Sequence, residues 1–326
     1  MIRFGIIGTN WITESLIEAA SQLDNFALTA VYSRKKETAE TFAAKHNAEH
    51  TFTDIHEFAA SDAFDAVYIA SPNSLHAEQA IICIQHGKHV LCEKPIASNE
   101  KEVTRMIAEA KKHNVVLMEA LKSLHMPNFL AIKENLHKIG KVRRYFASYC
   151  QYSSRYDKYK NGEVLNAFRP EFSNGSIMDI GIYCVAPAIA LFGEPSNVSA
   201  SSYLLDSGVD GKGSMILQYD EMDAVLMYSK ITNSYVPSEI QGENGSILID
   251  KISTPENVMI QYKDGTKEDI TVSQSDKNMV YEVEKFITFI QESMPPTEYY
   301  EYSLSTIKVL DKARNLVGLR YPADQL

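Results

Sequence analysis

Short apolar runs alternate with amphipathic stretches through the first third of the chain, and this alternation limits the fold more than any other feature. Ile2–Ile7, Ala27–Tyr32, Ala66–Ala70, His89–Cys92 and Val115–Met118 are strand-length segments rich in Val, Ile, Leu and Tyr. Between them Ile12, Leu16, Ala19, Ala20 and Leu23, and farther on Val103, Met106, Ile107 and Ala110, recur at the spacing of one helix face. Strand, helix and strand repeated in this order predict a parallel sheet with right-handed crossovers.

From about Lys141 the pattern changes to longer strand-like stretches punctuated by turn signals, such as Asp210-Gly211, Glu243-Asn244-Gly245 and Asp264-Gly265, which predict an antiparallel sheet. Helical spacing returns in Val280–Phe289 and Leu304–Val317. With 326 residues the chain exceeds what one core usually organises. The expectation is an α/β fold with a Rossmann-type, doubly wound parallel sheet over residues 1–122. An α+β domain with a large, mostly antiparallel open sheet follows over 123–326, its last helix (about 303–318) packing back on the first domain.

A net charge of -10 and a pI near 5.4 give the surface a negative field, which disfavours nucleic acid and anionic membranes as partners. The first residues run straight into an apolar strand without the pattern of a signal peptide, and no apolar run is expected to reach the roughly 18 residues of a spanning helix. Cys83, Cys92, Cys150 and Cys184 are widely spaced in apolar segments and read as reduced packing thiols, in keeping with the cytoplasm. His46 and His50, four apart in a polar helix end, have no third ligand nearby, so no metal is expected.

Gly8 ends the first strand and precedes the first helix, where a dinucleotide-binding loop sets a pyrophosphate against helix amides. In the GxGxxG frame that starts there, Asn10 and Thr13 replace the second and third glycines. Asparagine tolerates left-handed backbone, and its amide is a potential donor to phosphate, whereas Thr13 only widens the helix–strand contact. An ordinary strand–helix turn fits these residues as well, so the loop alone leaves both readings open. An acidic residue about 20 positions on usually holds the adenosine 2'-hydroxyl of NAD; here the second strand ends in Tyr32-Ser33-Arg34-Lys35-Lys36. A hydroxyl and three cations suit a 2'-phosphate and favour NADP, with NAD the second choice. A solvated helix start is the alternative.

Two further segments, Ala70-Ser71-Pro72-Asn73-Ser74-Leu75-His76 and Gly87-Lys88-His89-Val90-Leu91-Cys92-Glu93-Lys94-Pro95, resemble the TPNxxH and GKHVxxEKP signatures of the glucose-fructose oxidoreductase, inositol dehydrogenase and rhizopine-catabolism family, Gfo/Idh/MocA. Asn174–Tyr183 is similar to that family's GGGALxDxGxY segment, and Gln241–Gly245 to its later GxxG turn. Tyr183 resembles the glucose-fructose oxidoreductase and dihydrodiol dehydrogenase branches more than the inositol branch, which has histidine at the matching place. The resemblance implies that Gly8, Thr9, Asn10, Trp11 and Ile12 form the phosphate loop and that Ser33 and Arg34 take the adenosine end. It also implies that Ser71, Asn73 and His76 line the nicotinamide side, with Glu93, Lys94 and Pro95 beside the nicotinamide ribose. A cis peptide before the matching proline is common in the family.

Hydride transfer needs a group that takes or gives the alcohol proton, and the resemblance implies Lys94 and Tyr183. A lysine ordinarily titrates near ~10.4; a desolvated site beside the oxidised nicotinamide favours the neutral amine, a usable base. Asp179 and Tyr183 are four apart, so a helix puts both on one face, Asp179 then positioning Lys94 or holding a substrate hydroxyl. A core role for Tyr183 and a packing role for His76 stay open. Arg169 matches a family position near the substrate, and Lys122 is a further candidate contact. The chain departs from the family after Met118-Glu119-Ala120, where Leu124 stands in place of a common arginine and Lys122 and His125 reshape that wall.

The implied activity is hydride transfer between nicotinamide and a hydroxyl or carbonyl of a sugar, polyol or diol. The alternatives are a non-catalytic NADP-binding redox sensor and a cofactor-assisted glycoside-cleaving enzyme. A sensor needs none of Lys94, Asp179 and Tyr183, so their presence together argues against it. A homodimer is expected, with Ser214–Tyr219 and Ala224–Tyr228 supplying apolar surface on the open sheet face.

Overall fold

A computed structural model describes residues 1–325, which form two units: Met1–Lys122 with Ser275–Ser303, and Ser123–Gln274 with the residues from Leu304 onward. In the first unit β1 (Ile2–Ile7), β2 (Phe26–Tyr32), β3 (His50–Phe52), β4 (Ala66–Ile69), β5 (His89–Glu93) and β6 (Leu117–Ala120) make one sheet ordered β3-β2-β1-β4-β5-β6. Every pair is parallel. Helices α1 (Trp11–Ala20), α2 (Lys36–His46), α3 (Ile55–Ala60), α4 (His76–Gln85) and α5 (Glu100–His113) connect the strands. Phe4, Ile6, Val31, Tyr68 and Leu91 are buried, as strands covered on both faces require, which is why these segments read as apolar runs rather than as alternations. The strand order reverses between β1 and β4, and the carboxyl ends of the strands at such a point are where open α/β sheets take ligands.

Two details differ from the sequence pattern. His50-Thr51-Phe52 is too short and polar to register as a strand, yet it pairs with β2 at the sheet edge, so His50 opens β3 instead of ending the helix that carries His46. The last strand begins at Leu117, not Val115, because Asn114 in left-handed conformation closes α5 and the ladder starts only at the Val90–Leu117 pair.

The second unit contains α6 (Pro127–Asn135), β7 (Val142–Cys150), α7 (Tyr156–Lys160), α8 (Ile182–Phe192), β8 (Asn197–Leu204), β9 (Asp210–Gln218), β10 (Asp223–Ser229), β11 (Ser238–Gly242), β12 (Gly245–Ile249), β13 (Val258–Tyr262) and β14 (Lys267–Asp269). Its sheet runs β14-β13-β12-β11-β7-β10-β9-β8 and is antiparallel except for the β7–β10 pair. Met215, Leu217 and Leu226 face inward, while the alternating Ile216 and Met227 face out. The apolar helix α8 packs on β7 and β10. Contrary to expectation, the segment Pro170–Phe192 is long and apolar enough to span a membrane by length and composition, but 78% of its 18-residue apolar window is buried inside the protein. A helix apolar all round is what a core position selects.

Two helices complete the chain. On α9 (Val280–Gln291), Val283, Phe286 and Ile287 join the first unit's core, with the Phe286 ring 5.9 Å from that of Phe4. The last helix, α10 (Thr297–Leu316), starts directly after Pro295-Pro296 instead of at Leu304, and passes from the first unit to the second after Ser303.

Candidate active site

The turn after β1 is built by contacts to its own backbone and to the end of β4. Gly8 has φ +105°, and a Cβ there would lie 2.5 Å from the Ala70 carbonyl oxygen, so glycine is required for the two strand ends to meet. Asn10 is extended, with φ -105°, so left-handed tolerance does not explain it; its Oδ1 accepts from the amides of Ile12 at 3.0 Å and Thr13 at 3.4 Å as the cap of α1. Its amide faces the protein, donating to the Ala70 carbonyl at 2.8 Å. The buried Thr13 hydroxyl donates to the Gly8 carbonyl, also at 2.8 Å, rather than merely widening the contact. The two non-glycine positions therefore brace the loop with side-chain hydrogen bonds. Thr9 and Ile12 are half-buried and Trp11 is exposed.

Past β2, the Ser33 amide donates to the Phe52 carbonyl and its Oγ accepts from the Lys35 amide at 3.4 Å. Arg34, Lys35 and Lys36 are exposed, with Lys36 3.7 Å from Glu40. Asp54, the acidic group that acts on neighbouring Tyr32, is engaged as the cap of α3 by the His56 and Glu57 amides. A hydroxyl beside the exposed Arg34 guanidinium and Lys35 ammonium is a donor set for a phosphate ester, which suits a 2'-phosphate better than a ribose hydroxyl.

Every residue from 90 to 99 is buried except Lys94. Glu93 Oε1 accepts from the Tyr68 hydroxyl at 2.5 Å and Oε2 from the Lys94 amide at 3.2 Å. Burial pushes the Glu93 carboxyl pKa up, opposed by the Lys94 charge and the Tyr68 hydrogen bond. The Lys94–Pro95 peptide is cis. His76 is fully buried, its Nδ1 2.9 Å from the Pro95 carbonyl and its Nε2 2.8 Å from the Ser71 carbonyl, so it ties the loop after β4 to the loop after β5. Burial pushes its pKa down, the two carbonyls act the other way, and Lys94 reinforces the burial. The Ser71 hydroxyl donates to Gln79 at 2.7 Å, and Asn73 is buried. Behind this segment, Glu119 accepts from the Ile96 amide at 2.9 Å and the Ser303 hydroxyl at 2.7 Å. Lys122 donates to Asn278 at 2.8 Å, and burial lowers its pKa.

In the second unit every residue from 175 to 190 is buried except Asp179 and Tyr183. Gly175 has φ +135°, and a Cβ there would lie 2.4 Å from Asp210 Oδ1; Asp210 Oδ2 in turn accepts from the Ile177 amide at 2.8 Å. These contacts start a π-helical turn, Ile177–Gly181, that runs directly into α8. π turns occur often at functional sites. The spacing of four survives the wider turn, since both polar side chains reach the open side of an otherwise buried run. Tyr183 packs edge-to-face on Tyr149, ring centres 5.5 Å apart. Asp179 Oδ2 accepts from Lys230 at 2.5 Å. Arg169 is exposed and donates to the Val164 carbonyl at 2.8 Å, while Leu124 and His125 are buried.

The description "Oxidoreductase family, NAD-binding Rossmann fold" of the Gfo/Idh/MocA proteins matches residues 2–121, and the corresponding carboxy-terminal domain matches residues 130–248. The chain belongs to the Gfo/Idh/MocA oxidoreductase family. Scyllo-inositol 2-dehydrogenase (NADP(+)) IolU of Bacillus subtilis is 59% identical over 100% of both chains. Trans-1,2-dihydrobenzene-1,2-diol dehydrogenase of Xenopus tropicalis is 30% identical over 98% of this chain and 99% of its own. A 3-ketoreductase from Actinomadura kijaniata, solved with TDP-benzene and NADP, shares the fold with a TM-score of 0.86 at 24% identity, covering 97% of this chain and 98% of that one.

Two groups in this Gfo/Idh/MocA oxidoreductase escape a reading by motif. Glu282 on α9 is fully buried, and neither oxygen has a hydrogen-bond partner among the described residues. Burial pushes its pKa well up, Glu93 adds to the effect and Lys122 opposes it, so its surroundings favour the protonated form. Its place three after Met279 and four before Phe286, on the apolar face of its helix, is a signal the sequence does carry. Lys230 lies 51 positions from Asp179, and no spacing rule links them.

Proposed function

We propose that this protein is an NADP-dependent dehydrogenase moving a hydride between its cofactor and a secondary hydroxyl of a cyclic polyol of the inositol class, or of a related sugar or diol. One observation carries the reading: two buried tracts open only at Lys94 and only at Asp179 and Tyr183. Polar groups held at the surface of buried backbone are positioned groups, unlike residues on a solvated face.

In this reading the loop Gly8, Thr9, Asn10, Trp11 and Ile12 receives the pyrophosphate at the start of α1, Ser33 and Arg34 hold the 2'-phosphate, and Ser71, Asn73, Glu93, Lys94 and Pro95 surround the nicotinamide ribose. His76 serves by fixing two of those loops. Bound there, NADP supplies the hydride acceptor in one direction and the donor in the other. Lys94 takes the alcohol proton during oxidation and returns it during reduction, and Tyr183 hydrogen-bonds the reacting oxygen. Asp179 accepts from an adjacent hydroxyl, which a polyol offers and a simple alcohol lacks. Arg169 and Lys122 are outer contacts at most, given their existing partners. The relative named for NADP(+) and scyllo-inositol supports both cofactor and substrate class, and the relative named for a diol shares the requirement for neighbouring hydroxyls. The protein acts as a homodimer through the open face of its second sheet, where Ile216 and Met227 are each 42% exposed.

The test is a panel of inositols, aldoses and vicinal diols, each with NADP and with NAD, followed by nicotinamide absorbance. Turnover is expected with NADP, and Lys94→Met should lower kcat by about 10^2-fold or more while NADPH still binds. No turnover across the panel, or a Lys94→Met variant as fast as the unaltered protein, ends this reading.

A further inference from the structure

Lys230 follows β10 and is anchored at both ends of its peptide unit. Its amide donates to the Gly211 carbonyl at 2.9 Å, and its carbonyl accepts from the Ser153 amide at 2.8 Å. The side chain points inward, with Nζ 2.5 Å from Asp179 Oδ2, 3.4 Å from the Ala167 carbonyl and 5.2 Å from the centre of the Phe168 ring. The two partners differ in exposure: 3% for the Lys230 side chain against 33% for that of Asp179. The ammonium therefore lies behind the carboxylate, out of reach of any substrate, while the carboxylate reaches the open side. A buried ammonium must be matched by a negative charge, and the cost of leaving it unmatched holds the pair together.

We propose that Lys230 is a positioning residue for the reaction, fixing the orientation and charge of the Asp179 carboxylate so that it receives a substrate hydroxyl. This rests on the substrate-binding role assigned to Asp179 above. Asp210 also feels Lys230, and burial pushes its pKa up to about 7. Near pH 7 Asp210 is thus only partly ionised, whereas Asp179, 2.5 Å from the ammonium, matches the lysine charge by direct contact. The Ala167 carbonyl and the Phe168 face take up the rest of the ammonium, so the same side chain also fixes the turn that precedes Arg169.

The test compares Lys230→Met, Lys230→Gln, Asp179→Asn and the Lys230→Met/Asp179→Asn double variant with the full-length protein. Lys230→Met should raise KM for the polyol about tenfold or more with a smaller change in kcat, move the acid limb of kcat/KM to higher pH, and leave NADPH affinity within about twofold. Asp179→Asn should show the same KM defect, and the double variant should be no worse than the worse single one. Lys230→Gln, which still donates to Ala167, reads the same parameters if the Met variant does not fold. Carbon-13 NMR of the aspartate carboxyls, with Asp179 assigned from the Asn variant, gives an answer without turnover: its titration should move to higher pH when Lys230 is neutralised. An unmoved titration, or an unchanged KM beside an impaired Asp179→Asn, overturns the role of Lys230 alone. An Asp179→Asn variant with unaltered kinetics removes Asp179 from the site, and the proposal with it.

Discussion

Single side chains do two kinds of work in this protein, and the buried carboxyls separate them. Glu93 and Glu119 accept backbone and hydroxyl hydrogen bonds, whereas at Glu282 and Asp210 burial dominates and pushes the pKa up. For Asp210 the folded pKa of about 7 stands above the ordinary aspartate value of 3.8, so between the two the folded state holds a proton that the unfolded chain gives up. The stability this contributes is complete at low pH and is lost as pH rises through about 7, at about 1.4 kcal/mol for each unit of separation. Asp210→Asn, which can still accept from the Ile177 amide, should therefore melt higher than the unaltered protein above pH 7, with the gap closing toward pH 4. Melting curves across that range check it; a gap that does not change with pH would mean Asp210 is not held protonated.

Among the elements, the junction of β1, α1 and the end of β4 is held by close backbone and side-chain contacts. The degenerate glycine frame is compensated locally: Asn10 and Thr13 supply hydrogen bonds that hold the loop, and the one retained glycine is where a Cβ would strike the Ala70 carbonyl. A left-handed backbone alone costs a non-glycine residue about 1–2 kcal/mol, before any shift of β4. Gly8→Ala should lower the melting temperature and weaken NADPH binding together, since the same loop is the proposed pyrophosphate site. Fluorescence titration with NADPH beside a thermal melt would expose the error if either value stayed put. The π turn at Ile177–Gly181 is the comparable device in the second unit, started by Gly175 and Asp210 and carrying Asp179.

At the scale of the whole molecule, the second sheet keeps one face for α8 and leaves the other with Ile216, Met227 and, on β8, Tyr203 in the open. Scattered apolar residues on a surface need no explanation, but on one face of one sheet they form a surface that a second copy can cover. Sedimentation equilibrium at micromolar concentration should give twice the 36.6 kDa of the chain, and Met227→Glu should shift it toward the monomer. A monomer for the unaltered protein would overturn the dimer.

Local order and chemistry were written along the chain. Strand–helix alternation determined the parallel sheet, turn signals the antiparallel one, and short contiguous motifs marked Gly8, Lys94, Asp179 and Tyr183, because periodicity and motif spacing act between residues close in sequence. The polar edge strand β3, the early start of α10 and the burial of Pro170–Phe192 were decided by what packs against them. The same holds for the environment of the motif residues. That Asn10 braces a loop, that His76 lies between two carbonyls, that burial pushes the Glu282 pKa up and that Lys230 stands behind Asp179 depend on partners far apart in the chain. Burial and charge pairing are properties of three-dimensional neighbours, and a linear pattern carries the residues but not their neighbours.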